Sequence, residues 1–328
     1  MVVLVEETFF RRLFESPMTS DGDYHRLNFR ALGTDCQVFF SSRSVARARD
    51  LRVNICRWMA WFEARYSRFQ EDSLVSRINR SAGLAWVTTD DETDALLKLC
   101  DWYHWTTRGI FDPTALPLIQ LWEITAGRGA IPQNEDIAAR QRLVGWSRIQ
   151  RKPGSIFLPE PGMAIDFGGI GKEYAVDRVF EMAAEHGIDD ILVDFGHDLR
   201  VRGEPPETGP WRIGLEDPLD PGRCWGGVDL RDRAVCSSGD YFRHALVDGK
   251  TYGHIIDPRS GFPVDNGCRS VTVIAPTCTE AGILSTTAFI LGHQAGMEFI
   301  EGCQQAEGCI CTGDQRYQSR KFHEYMQA

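Results

Sequence analysis

The sequence predicts an α+β protein, mixed sheets with flanking helices, and three observations carry that expectation. Strand-length apolar runs and longer segments of helical spacing interleave along the 328 residues. They follow no strict strand–helix–strand alternation, which points to a mixed α+β domain. At this length, with 43% apolar and 25% charged residues, the chain is an ordinary globular one that can bury a substantial core.

Residues 1–24 read as a leader with an amphipathic turn around Phe9–Phe14, ahead of a single domain over 25–328. Arg26 to Phe40 suggests two short strands about a Gly33-Thr34 turn. Val45 to Phe69 is helical by pattern, with apolar residues at Leu51, Ile55, Trp58, Met59 and Phe62. Asp72 and Ser73 stand where caps of a short helix would. A helix is expected from Asp90 to Thr107. Asp112, before Pro113, is biased to extended or turn backbone, so its carboxylate is expected on display from a loop.

A helix over Asp136–Gly145 and strands near Arg148–Phe157 and Met163–Asp166 come next. The last of these runs into Gly168, Gly169 and Gly171 and then a helix from Glu173 to about His186. Strand, glycine turn and helix together let backbone amides approach a phosphate. The glycines lack the full spacing of a dinucleotide fingerprint or an NTPase loop, and a tight strand-to-helix connection explains them equally well. Asp190 to Arg200 reads as a buried strand ending in Gly196-His197-Asp198. Trp211–Gly214, Trp225–Leu230, Ala234–Ser237 and Val271–Ile274 are further strands, and Ala281–Gly292 and Met297–Cys303 are helical.

The formal net charge of −10 argues against nonspecific binding to nucleic acid or to an anionic membrane, though not against a small anionic ligand. Ten scattered cysteines without a CxxC fit reduced thiols in a cytosolic protein better than zinc or a disulfide framework. Glu6 and Glu7 interrupt the first apolar run, which is too short for a signal segment, and no run could span a bilayer. The expectation is a cytoplasmic protein without membrane insertion.

Four loops gather chemistry: Asp112-Pro113-Thr114, Asp166 with its glycines and Lys172, Gly196-His197-Asp198, and His254 to Arg259. Each has an ordinary explanation as turn chemistry or solvated charge. His254 differs in degree, because Asp257-Pro258 and Arg259-Ser260-Gly261 follow closely, a density of groups able to move a proton or hold a phosphate. The nucleophile and metal signatures of the common hydrolases do not occur.

Taken in order, these segments resemble the ApbE-type FAD:protein FMN transferase family. The matching pieces are LGT (32–34), SRFQEDSLVSRIN (67–79), GIFDPTALPL (109–118), IDFGGIGKEYAVD (165–177), VDFGHDLRVRG (193–203), SSGDYFR (237–243), HIIDPRSGFP (254–263) and APTCTEAGILSTTAFILG (275–292). The resemblance implies an ApbE-like fold and FAD as substrate. It also implies Mg²⁺-dependent cleavage of the pyrophosphate and attachment of FMN by phosphoester to a threonine or serine of an acceptor flavoprotein, with release of AMP.

By motif, Leu32 and Phe69 would line the flavin pocket, and Ile110, Phe111, Asp112, Asp166 and Lys172 would contact FAD. His254 would be the base, with Ile255 beside it at the nucleotide; the Gly169 carbonyl and Thr286 would bind the metal.

The chain departs from the family pattern in four places. Gly282 stands where an aspartate metal ligand is usual, Glu173 where glycine follows the lysine, His197 at a second glycine and Leu32 at a methionine. Metal-dependent transfer then rests on Glu173 or a ligand phosphate replacing the carboxylate, and Gly282→Asp is expected to raise Mg²⁺ affinity. Two other readings share the pocket: a flavin-nucleotide-binding paralogue without a metal site, and an FAD pyrophosphatase.

Overall fold

Tyr24–Ala31 alternates exposed Arg26, Asn28 and Arg30 with buried His25, Leu27, Phe29 and Ala31, the period of a strand with one face on a core. This strand belongs to a nine-stranded sheet seen in the computed structural model, which describes residues 2–127, 129–207, 209–239, 244–247, 250–313 and 315–327. In spatial order its strands are Met18–Asp21, Tyr24–Ala31, Thr34–Ser41, Ile191–Phe195, Asp198–Arg202, Ala234–Gly239, Ser270–Ala275, Glu307–Thr312 and Gln315–Gln318. Every neighbouring pair is antiparallel. The helices, in chain order, are α1 (Val2–Glu15), α2 (Val45–Tyr66), α3 (Leu74–Arg80), α4 (Asp91–Thr106), α5 (Leu116–Ala126), α6 (Asn134–Gln141), α7 (Gly171–Glu185), α8 (Cys278–Leu291) and α9 (His293–Glu301). The α+β class expected from the sequence is the class observed.

The chain forms two compact units. The larger comprises Met1–Ala64, Ile170–Gly239 and Cys268–Ala328; the smaller comprises Arg65–Gly169 and Asp240–Gly267. In the larger unit, residues read as a leader form α1 and the strand Met18–Asp21, which pairs with Tyr24–Leu27. The turn at Phe9–Phe14 is the end of α1, where Leu13 is buried and Arg52 lies 4.6 Å over the Phe14 ring. Among the described residues no helix is long and apolar enough to cross a membrane.

Two hairpins of the sheet turn through two-residue loops with positive φ at both positions: Leu32 (54°) with Gly33 (74°), and Gly196 (61°) with His197 (70°). Such loops match the twist of the flanking strands but demand left-handed backbone. That requirement explains why glycine suits position 197. It also shifts the first turn one residue from the Gly33-Thr34 expected, since Thr34 already begins the next strand. The predicted strand Asp190–Arg200 is likewise two strands about the second of these turns.

The smaller unit holds α3 to α6 and the three-stranded sheet of Val87–Thr88, Ser155–Phe157 and Gln150–Lys152. Ser73 and Asp90 cap α3 and α4, each side chain accepting from an amide three residues on. Leu118, Trp122 and Ile137 form a core with Tyr252 and Ile256 packed against it. Met163–Asp166, expected as a strand, pairs with no strand. The Asn79 side-chain amide takes that role, donating to the Ile165 carbonyl at 3.0 Å and accepting the Ile165 amide at 2.7 Å. A side chain that offers one donor and one acceptor copies a ladder partner for a single residue.

In the larger unit, Asp177 of α7 accepts hydrogen bonds from the amides of Cys278 (2.9 Å) and Thr279 (2.8 Å) and from the Thr279 hydroxyl (2.7 Å). Arg200 donates to it from the sheet at 2.8 Å. This buried carboxylate satisfies the otherwise unpaired amides at the start of α8. Asp177→Ala leaves those amides and Arg200 without their acceptor and is expected to cost about 3–5 kcal/mol, measured by urea denaturation.

Candidate functional site

On the smaller unit Asp166 is tied to the Asp112 loop and, through Arg68, to Phe69. Its amide donates to the Pro113 carbonyl at 2.9 Å, which ties the Asp112 loop to the glycine turn. Its carboxylate lies 3.5 Å from Arg68 Nε. Burial pushes the Asp166 carboxyl above its ordinary range, against the pull of Arg68 and the Gly168 amide. Arg68 also pairs with Glu123 at 2.6 Å and covers the Phe69 ring at 4.3 Å. Phe69 is 78% exposed, an aromatic face backed by a cation and suited to stacking on a flat ring. The sequence singled out Phe69 and Asp166 but not Arg68, which joins them; its place beside Phe69 in the matched segment was the available signal.

Asp112 is turned inward rather than displayed. Its side chain is 5% exposed. Oδ1 accepts from the Thr114 amide at 2.8 Å and from the Thr114 hydroxyl, and Oδ2 accepts from the Trp146 amide at 3.0 Å. The aspartate caps the short 3₁₀ turn Pro113–Ala115, so its carboxylate organises the loop. Ile110 is buried and Phe111 half-buried; the Phe111 carbonyl accepts from His104 Nδ1 at 3.0 Å, and a Cβ on Gly169 would lie 3.7 Å from the Phe111 ring.

His254 is exposed, next to half-buried Ile255, and just before the hairpin of Ile256–Asp257 with Phe262–Pro263. Trp122 anchors this hairpin: its indole donates to the Gly261 carbonyl at 2.8 Å, and its ring meets Tyr252 and Phe262 at 5.7 and 5.9 Å. Gly261 (φ 78°) has no room for a side chain, since a Cβ would fall 2.6 Å from Ile137. Asp257 is committed to Arg259, with Nη2–Oδ2 at 2.8 Å. Of the chemistry expected across His254–Arg259, the ion pair therefore shapes the turn.

On the larger unit, α7 starts at Gly171 and carries Lys172 and Glu173 in its first turn. Lys172 pairs with Asp198, the residue after the Gly196-His197 turn. Burial works against the Lys172 charge, but Asp198 and then Glu173 more than offset it and hold the amine above its usual range. Glu173 is half-buried as a residue, yet its Oε2 is buried and has no hydrogen-bond partner. Burial, and next the charge of Asp198, push its carboxyl up to about 7 despite the pull of Lys172.

Glu173 packs on α8 at Gly282, where a Cβ would come within 2.6 Å of Glu173 Cγ and 3.0 Å of Oε1. Thr286, one turn along α8, is half-buried, with its hydroxyl 2.8 Å from Ser238 Oγ; Ser238 is in turn 2.9 Å from Ser285. Leu32 lies elsewhere on this unit, half-buried in its hairpin turn, with its amide donating to Glu63 at 3.4 Å. Asp240–Arg243 of the SSGDYFR segment lie outside the described residues.

Two concavities of the larger unit, about 530 Å³ around Asn28, Thr34 and Asp194 and about 390 Å³ around Arg233, Glu301 and Lys321, are lined by none of the predicted site residues. Among the described residues no three His, Cys, Asp or Glu side chains form a metal cage.

The model of the ApbE family matches residues 32–310. An FAD:protein FMN transferase of Vibrio cholerae is 28% identical over 302 residues, 90% of either chain. Another, of Klebsiella pneumoniae, is 33% identical over 244 residues, covering 74% of this chain and 75% of its own. The crystal structure of the ApbE protein from Thermotoga maritima superposes with a TM-score of 0.85 at 30% identity, covering 93% of this chain and all of that one. The flavin transferase ApbE from Vibrio cholerae gives 0.82 at 26% identity, with coverage of 94% and 100%.

Two outcomes follow from this geometry. Trp122→Phe removes the indole donor and should cost about 1 kcal/mol, with faster amide exchange confined to the 256–263 hairpin by hydrogen-exchange mass spectrometry. Gly282→Asp by itself should destabilise the larger unit by about 1–3 kcal/mol, read as a lower Tm, because Glu173 already fills the space. This revises the simple gain in Mg²⁺ affinity expected from the sequence.

Proposed function

The chain belongs to the ApbE family, and from that premise we propose that it cleaves FAD and attaches FMN by phosphoester to a threonine or serine of an acceptor flavoprotein, releasing AMP. The observation that carries the reading is the likeness to FAD:protein FMN transferases along nine-tenths of the chain. We place the activity in the cytoplasm.

The residues of each unit suit their assigned parts. Phe69 offers an aromatic face for the isoalloxazine ring, with Ile110 and Phe111 as further apolar residues of the same unit; Leu32 is assigned to the flavin by the motif alone. Asp166 and Lys172 supply polar contacts to FAD, and Asp112 holds the shape of its loop. His254 takes the proton of the acceptor hydroxyl on an imidazole nitrogen as that oxygen bonds to the FMN phosphorus; the bond from phosphorus to the bridging oxygen breaks and AMP departs.

A dication fits the groups present. Glu173 has an orphaned buried oxygen and the Thr286 hydroxyl lies on the same face of α8; the resemblance adds the Gly169 carbonyl. Mg²⁺ is commonly held by one or two carboxylates together with waters and substrate phosphates, so a cage of three acidic or histidine side chains is not required. When bound, Mg²⁺ supplies positive charge that offsets the pyrophosphate.

Incubating the purified chain with FAD and a flavoprotein that carries an acceptor threonine or serine should release AMP when Mg²⁺ is present and none after EDTA treatment. Tight FAD binding without AMP at any Mg²⁺ concentration would overturn the reading in favour of a binding paralogue; AMP with free FMN and an unlabelled acceptor would favour hydrolysis. His254→Ala should slow AMP release at least ~100-fold and leave FAD affinity, measured by fluorescence quenching, within about twofold.

A further inference from the structure

We propose that the carboxylate of Glu173, reaching from α7 across Gly282 of α8, is the side-chain anion through which this chain binds its divalent cation, with Thr286 on the same helix face. The inference rests on the metal-dependent reading above and names the ligand that the residue at 282 cannot supply.

Its first support is the orphaned oxygen. Glu173 Oε2 is buried without a hydrogen-bond partner, a costly condition for a carboxylate and one that calls for an explanation. The nearby cation does not supply one, because Lys172 Nζ is paired with Asp198 Oδ2. Two carboxyl groups, Glu173 and Asp198, thus accompany one ammonium.

The second support is the fit to α8. Glu173 Cγ and Oε1 stand 2.6 and 3.0 Å from where a Cβ of residue 282 would be, so the side chain fills the volume that a larger residue there would take. Glycine at 282 makes the approach possible, and the glutamate makes the glycine tolerable, since otherwise the helices would face each other across a void. Residues 282 and 286 are one turn apart and share a face, so the carboxylate over Gly282 stands on the side of α8 that carries the Thr286 hydroxyl. A carboxylate and a hydroxyl are hard oxygen donors that suit Mg²⁺.

The third support is register. Asp177, four residues after Glu173 on α7, binds the amides of Cys278 and Thr279, three to four residues before Gly282 on α8. The two contacts are successive rungs between helices that run in opposite directions. Glu173 is therefore held against Gly282 by a buried interaction independent of any metal.

Mn²⁺ titration of the full chain, followed by electron paramagnetic resonance with and without FAD, tests the assignment. The wild type should show one saturable site. Glu173→Gln, which keeps shape and removes charge, should weaken Mn²⁺ at least tenfold while circular dichroism and Tm stay those of a folded protein. The exchange Glu173→Gly with Gly282→Asp, which moves the carboxylate to the other helix, should restore Mn²⁺ affinity to within about threefold of wild type.

Unchanged Mn²⁺ affinity in Glu173→Gln, with Mg²⁺-dependent AMP release intact, would overturn the assignment and leave the transferase reading standing. A double variant that folds yet binds Mn²⁺ no better than Glu173→Gln would also overturn it. No saturable Mn²⁺ site in the wild type, with no AMP from FAD at any Mg²⁺ concentration, would overturn both.

Discussion

Asp177 reaches from α7 to the first amides of α8 and is met from the sheet by Arg200. The start of α8 gains a negative charge where a helix favours one, and α7 gains a fixed height against its neighbour. Much of what the larger unit can do follows from that height. Four residues back along α7 is Glu173 and about four on along α8 is Gly282, so the same registration brings a carboxylate onto a glycine. Thr286 is one turn further, backed by Ser238 and Ser285. A buried charge that lost its partners would be expensive, and here its partners are the elements that carry the proposed metal ligands.

The smaller unit depends on side chains that imitate backbone. Asn79 stands in for a strand beside Ile165, Asp112 caps its own loop, and Trp122 holds the turn after His254 by a single indole hydrogen bond. None of these is an active-site feature by composition, yet each fixes a segment from which a proposed FAD contact or the proposed base extends. Arg68 acts in the same way between Phe69 and Asp166.

What the sequence makes legible is local. Helical spacing and caps located α2, α3 and α4 because apolar periodicity and an accepting side chain at the first turn are short-range signals. The collinear motifs named the family, and with it the fold. Features that depend on a distant partner were not legible: Met163–Asp166 has strand composition but bonds to a side chain, and Leu32 takes a left-handed position that its residue type disfavours. In the same way Glu173 and Gly282 each read as a departure from the family pattern. Only their proximity joins the two departures into the proposed exchange of a carboxylate between the helices.

Anomalous diffraction from crystals of the full chain grown with Mn²⁺ and FAD tests that exchange most directly. The account predicts a manganese peak within about 2.1–2.3 Å of a Glu173 carboxylate oxygen, on the face of α8 that carries Thr286. A manganese ion bound with the FAD phosphates while the Glu173 carboxylate takes no part would contradict it.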